Sequence, residues 1–100
     1  MQLSPEHYKI VRDILHTLVP ERDVRVFGSR ARGDAKPHSD LDLVLLGSEL
    51  LKGAIRAQLE LAFEESDLPF RVDLVEWDAI SPSFRKAIED ECHPFMTSSS

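Results

Sequence analysis

Cysteine is almost missing from this chain of 100 residues. The single one, Cys92, excludes an internal disulfide and cannot alone build a cysteine zinc site. That suits a reducing compartment, and the expected location is cytoplasmic. Basic residues are in deficit: 12 Lys and Arg face 18 Asp and Glu, a formal charge of −6. Such a balance argues against a general nucleic-acid binder, which usually carries a basic face. No apolar run approaches the ~20 residues of a membrane helix, and the opening "MQLSPEHYKIVRD" has no signal-peptide core. G-x-G-x-x-G, the P-loop and H-E-x-x-H are absent too. With no repeat and no linker, residues 1–96 read as one domain and 97–100, "TSSS" at the end, as a flexible tail.

What is present is an ordinary globular composition, 42% hydrophobic, and enough chain for one core. Ser4-Pro5 reads as an N-cap followed by proline at the first helical position. Tyr8, Val11, Ile14, Leu15 and Leu18 then share a helical face, and Pro20 ends the helix. "VRVF" at 24–27 is a strand that stops at Gly28, and residues 29–33 begin a short helix. "LDLVLL" at 41–46 is a second strand. Ser48 is placed to cap a helix whose inner face is Leu51, Ile55, Leu59, Ala62 and Phe63. "FRVDLVEW" at 70–77 is a third strand. Ser81-Pro82 repeats the capping signal before a last helix with Phe84, Ala87 and Ile88 turned inward.

The order α-β-α-β-α-β-α implies an α/β (α+β) fold, helices on a small mixed sheet of three or four strands. The link from the first strand to the second is too short for a helical crossover, so that pair is expected antiparallel. The second and third are joined by a full helix and are expected parallel.

The odd feature is a pair of carboxylates in an apolar strand. Asp40, Asp42 and Val44 share one face, while Leu41, Leu43 and Leu45 share the other. The two aspartate Cα atoms are roughly 7 Å apart, two strand steps. A lone D-x-D is most often a solvated strand face. Here three neighbours shift the balance. Asp73 repeats the pattern on the third strand. Gly28 lets a ligand approach the backbone closely, and the residues after it can offer N–H groups to phosphate. Arg30 and Arg32 supply forked cationic donors for phosphate oxygens. Mg²⁺, which takes one or two carboxylates plus substrate phosphates at about 2.1 Å, suits such a set. Trp77 reads mainly as packing, and Cys92-His93 as core edge and loop.

In order, Gly28-Ser29, Asp40-x-Asp42 and a later strand aspartate, Asp73, resemble the DNA polymerase β-like nucleotidyltransferase superfamily, above all its minimal members. The resemblance runs from the first helix to about Phe95. It implies the nucleotidyltransferase core fold. It also implies catalytic and metal-binding roles for Asp40, Asp42 and Asp73, with two Mg²⁺ ions and ATP as substrate. Gly28, Ser29 and Arg32 match positions that hold the nucleotide phosphates; Arg30 has no fixed counterpart. Minimal members typically act as antitoxins of small all-helical HEPT-type proteins, transferring AMP to a tyrosine of that partner. Two other readings stand beside this one: a non-catalytic module that neutralises its partner by covering it, and transfer to a small molecule or an RNA end.

Overall fold

A computed structural model describes residues 2–47 and 49–97. Ser4 caps α1 (Pro5–Leu18): its hydroxyl accepts the His7 amide at 3.2 Å, and Pro5 sits where no N–H is required. Val11 and Leu15 are fully buried, and Tyr8, Ile14 and Leu18 pack beside them, as the periodicity predicts. The chain then forms β1 (Val24–Phe27), the short α2 (Gly28–Arg32), β2 (Leu41–Leu45), α3 (Gly53–Glu64) and β3 (Val72–Glu76). A 3-10 turn (Trp77–Ala79), α4 (Pro82–Glu89) and β4 (His93–Met96) complete it.

The strands lie in the order β3-β2-β1-β4. β1 and β2 pair antiparallel, and β2 and β3 pair parallel around the α3 crossover, both as expected. Alternation on β2 divides the protein in two. Leu41, Leu43 and Leu45 join Val24 and Val26 in the main core under α1 and α3. Burying a leucine completely is worth roughly 2 kcal/mol, so this face carries most of the stability. On the other face a smaller cluster forms from Phe27, Val44 and Ile88, with Val75, Trp77, Ile80 and Cys92 around it.

Four expectations need correction. The last strand, β4, is not expected from its sequence: it is four residues long, contains Pro94 and, among the described residues, pairs only with β1. Proline lacks the donor that a central strand needs and is tolerated at a sheet edge. On α4 only Ile88 is buried; Phe84 is 40% exposed, touching Phe27 edge-on at 6.0 Å, and Ala87 faces solvent. Eight residues give α4 two turns, and a small cluster needs one anchor from them. α3 begins at Gly53, after Lys52, so Leu51 precedes the helix; the Ser48 cap lies outside the described residues, as do residues 98–100 of the expected tail. β3 is shorter than 70–77, because Trp77 opens the 3-10 turn with Arg85 over its ring at 5.4 Å.

Candidate active site

Strand register brings the singled-out residues together. Phe27 is opposite Asp42 across β1 and β2, and Asp42 is opposite Asp73 across β2 and β3. The Gly28 turn, Asp42 and Asp73 therefore form a row across three neighbouring strands, on the α4 face of the sheet but beyond its apolar cluster. Asp40 sits one residue before β2, exposed, with Asp73 also exposed and Asp42 half-buried. The ladder extends past the strand ends, since Leu41 N–H donates to the Arg71 carbonyl at 2.9 Å.

This crowding has an electrostatic signature. Asp42 titrates at about 6, well above the ordinary carboxylate range. Burial is the largest cause, followed by the charges of Asp73, Asp40 and Glu91; Arg32 pulls the other way. The site holds negative charge at a cost that a bound cation would relieve.

Gly28 fits this place for two reasons. Its φ is 77°, in the left-handed region, and a Cβ there would collide with Asp42 Oδ2. The chain turns directly from β1 into α2 against the central carboxylate. Behind Gly28, the Ser29 carbonyl accepts the amides of Gly33 and Asp34 at 2.9 and 3.1 Å, closing the short helix. Arg32 leaves this helix toward the site. Its Nη1 donates to Glu91 Oε2 at 2.9 Å and its Nε to Asp34 Oδ2 at 3.4 Å. These bonds, to Glu91 first and Asp34 second, raise its pKa. Glu91 also accepts the Gly28 amide at 3.2 Å.

Arg30, expected among the nucleotide-binding residues, spends its donors on the chain itself. It is 6% exposed, and its Nε, Nη1 and Nη2 donate to the carbonyls of Ser39, Gln2 and Pro37 at 3.0, 3.0 and 3.1 Å. The guanidinium also stacks over Phe70 at 4.2 Å. Burial lowers its pKa and nearby Asp40 opposes the shift. Gln2 helps by clasping Ala35 through both ends of its amide, at 2.8 and 3.0 Å. Together Arg30 and Gln2 pin the loop that delivers Asp40 to β2. Residues two apart on a helix project about 200° from each other, so Arg30 and Arg32 were bound to part company. Glu91 had no local signal at all, because its contact with Gly28 spans 63 residues.

Among the described residues, no three His, Cys, Asp or Glu side chains meet around one point. The aspartates therefore do not make an all-protein cage. Mg²⁺ does not demand one, since it takes one or two carboxylates and completes its shell with phosphate oxygens and water. Hard carboxylate oxygens, mutual repulsion at Asp42 and cationic donors at Arg32 fit a divalent ion that arrives with a polyphosphate.

Comparison with known proteins agrees with this geometry. Residues 8–93 match the nucleotidyltransferase domain family. A probable protein adenylyltransferase, MntA of Haemophilus influenzae, is 47% identical over 88 residues, covering 88% of this chain and 77% of that protein. A solved toxin–antitoxin structure with AMP-PNP superposes with a TM-score of 0.74 at 22% identity, over 92% of this chain and 74% of that one. A structure of a tri-AMPylated Shewanella oneidensis HEPN toxin with its MNT antitoxin gives 0.66 at 18% identity, over 91% and 70%. The two structures share the fold, and the family match with the 47% relative settles the lineage: this chain belongs to the nucleotidyltransferase domain family.

Proposed function

We propose that this protein is a Mg²⁺-dependent protein adenylyltransferase that moves AMP from ATP to a tyrosine hydroxyl of a small all-helical HEPT-type toxin. It thereby serves in the cytoplasm as that toxin's antitoxin. The observation that carries the proposal is the row formed by the Gly28 turn, Asp42 and Asp73 over adjacent strands. The MntA relative is named for this activity, and the similar structures contain a toxin partner and an ATP analogue.

The row orders the reaction. Gly28, Ser29 and Arg32 hold the β and γ phosphates above β1. Asp40 and Asp42 would hold Mg²⁺, which would supply positive charge to the α-phosphate and the departing oxygen. In-line displacement puts attacking and leaving oxygens on opposite sides of phosphorus. With the pyrophosphate over β1 and Asp42 over β2, the acceptor hydroxyl comes in over β3, where Asp73 stands. Asp73 orients it and accepts its proton. A bond forms from the acceptor oxygen to the α-phosphorus, the α–β bridging bond breaks, and pyrophosphate leaves. Incubation with the partner and α-labelled ATP should label the partner, and an Asp40→Ala/Asp42→Ala variant should neither label nor neutralise it. Full neutralisation by that variant at stoichiometric dose would show that covering the partner suffices.

A further inference from the structure

Two of the donors assigned to the triphosphate, the Gly28 amide and Arg32 Nη1, are already engaged by the chain itself. Glu91 lies two residues beyond the end of α4 and reaches back to the turn. Its Oε1 accepts the Gly28 amide at 3.2 Å and its Oε2 accepts Arg32 Nη1 at 2.9 Å. One carboxylate thus takes a backbone N–H and a guanidinium with its two oxygens, the way a phosphate would. It does so beside Asp42, whose charge it disfavours. A fourth acid near Asp40, Asp42 and Asp73 is repelled there, so the two donors hold it against that repulsion.

We propose that Glu91 is an internal competitor for the polyphosphate and sets the affinity of the site for it. This rests on the nucleotidyl-transfer reading above. The single Gly28 N–H cannot serve a carboxylate and a phosphate together, and an anion seated on it repels a second one, so a phosphate takes this position only when Glu91 leaves. Glu91 follows the helix rather than lying within it, and its side chain is 25% exposed, so it can leave by rotating without moving a strand. While it stays, it keeps the Gly28 amide and Arg32 aligned. A nucleoside triphosphate presents β and γ phosphates that displace it; a monophosphate has nothing to exchange for it. Glu91 therefore weakens triphosphate binding while leaving monophosphate binding alone, and the cradle opens only to a ligand with phosphates to put in its place.

Calorimetric titration of the full chain with a non-hydrolysable ATP analogue and with AMP, in Mg²⁺, tests this. Glu91→Gln and Glu91→Ala should bind the analogue about three- to tenfold more tightly, the scale of a partly exposed ion pair removed from competition. AMP binding should not change. Without nucleotide the two variants should melt at or slightly below wild type, a divergence from the tighter binding that a purely structural residue would not show. Analogue binding that is unchanged or weaker in both variants overturns the proposal, because Glu91 then only braces Arg32. Arg32→Ala separates the two claims. If it binds the analogue like wild type, the phosphate-cradle reading itself fails; if it loses binding while the Glu91 variants gain none, only the competitor role fails.

Discussion

On one face of β2, Leu41, Leu43 and Leu45 are out of water beneath α1 and α3. On the other, Val44 joins a cluster of three buried residues while Asp42, two positions earlier, stays half-buried among other acids. The two faces share every backbone hydrogen bond of the strand, so the contrast comes from side chains alone. The first face is dry, large and tolerant of no polar group. The second is thinly covered, which leaves the carboxylate row open to a ligand and leaves its repulsion uncompensated until one arrives. A strand with period two can therefore supply folding energy and chemistry at once, provided only one side must be dry.

The largest expected disturbance of the dry face comes from Leu43→Ala. Removing a fully buried leucine side chain should cost about 3 kcal/mol of unfolding free energy in a denaturant titration. At temperatures where this variant is folded, the Mg²⁺ concentration for half-maximal transfer should match wild type. Arg30→Ala should sharpen the contrast. Freeing the carbonyls of Gln2, Pro37 and Ser39 should cost about 2 kcal/mol, less than the leucine. It should also raise the half-maximal Mg²⁺ concentration, because Asp40 directly follows the released loop. Equal Mg²⁺ requirements in the two variants would show that Arg30 serves stability only.

A third effect is one of pH. The folded-state value for Asp42, about 6, lies above its ordinary value of 3.8. The folded protein thus keeps a proton that the unfolded chain has already released, and stability falls as pH rises through that interval. Asp42→Asn has no such loss. Without divalent cations its Tm should equal that of wild type near the bottom of the interval and exceed it at pH 8. A variant that melts below wild type at pH 8 would show that the ionised carboxylate is stabilising.

Much of this was legible in the chain. The Ser4-Pro5 and Ser81-Pro82 caps are local signals, and both hydroxyls accept the amides expected of them. Strand alternation separated the aspartates from the leucines, and link lengths gave the pairing directions of β1, β2 and β3. What escaped was non-local. β4 is defined by its partner β1 rather than by its own composition. Phe84 falls on the expected inner face with Ala87 and Ile88, yet two turns of α4 cover too little surface to use it. Arg30 and Arg32 are the same residue type two positions apart, and only the rotation of α2 sends one to the loop carbonyls and the other to Glu91. The Glu91 contact depends on where the chain after α4 comes back, which no short window contains.

Transfer of a nucleotide to another protein is the role we propose for the open face. Its most direct test is mass spectrometry of the partner after incubation with ATP, Mg²⁺ and either wild-type protein or Asp42→Ala. Wild type should add AMP to a partner tyrosine, and Asp42→Ala should slow this by on the order of a thousandfold, the scale of losing a principal electrostatic stabiliser. An unmodified partner with wild type, or equal modification by Asp42→Ala, would contradict it.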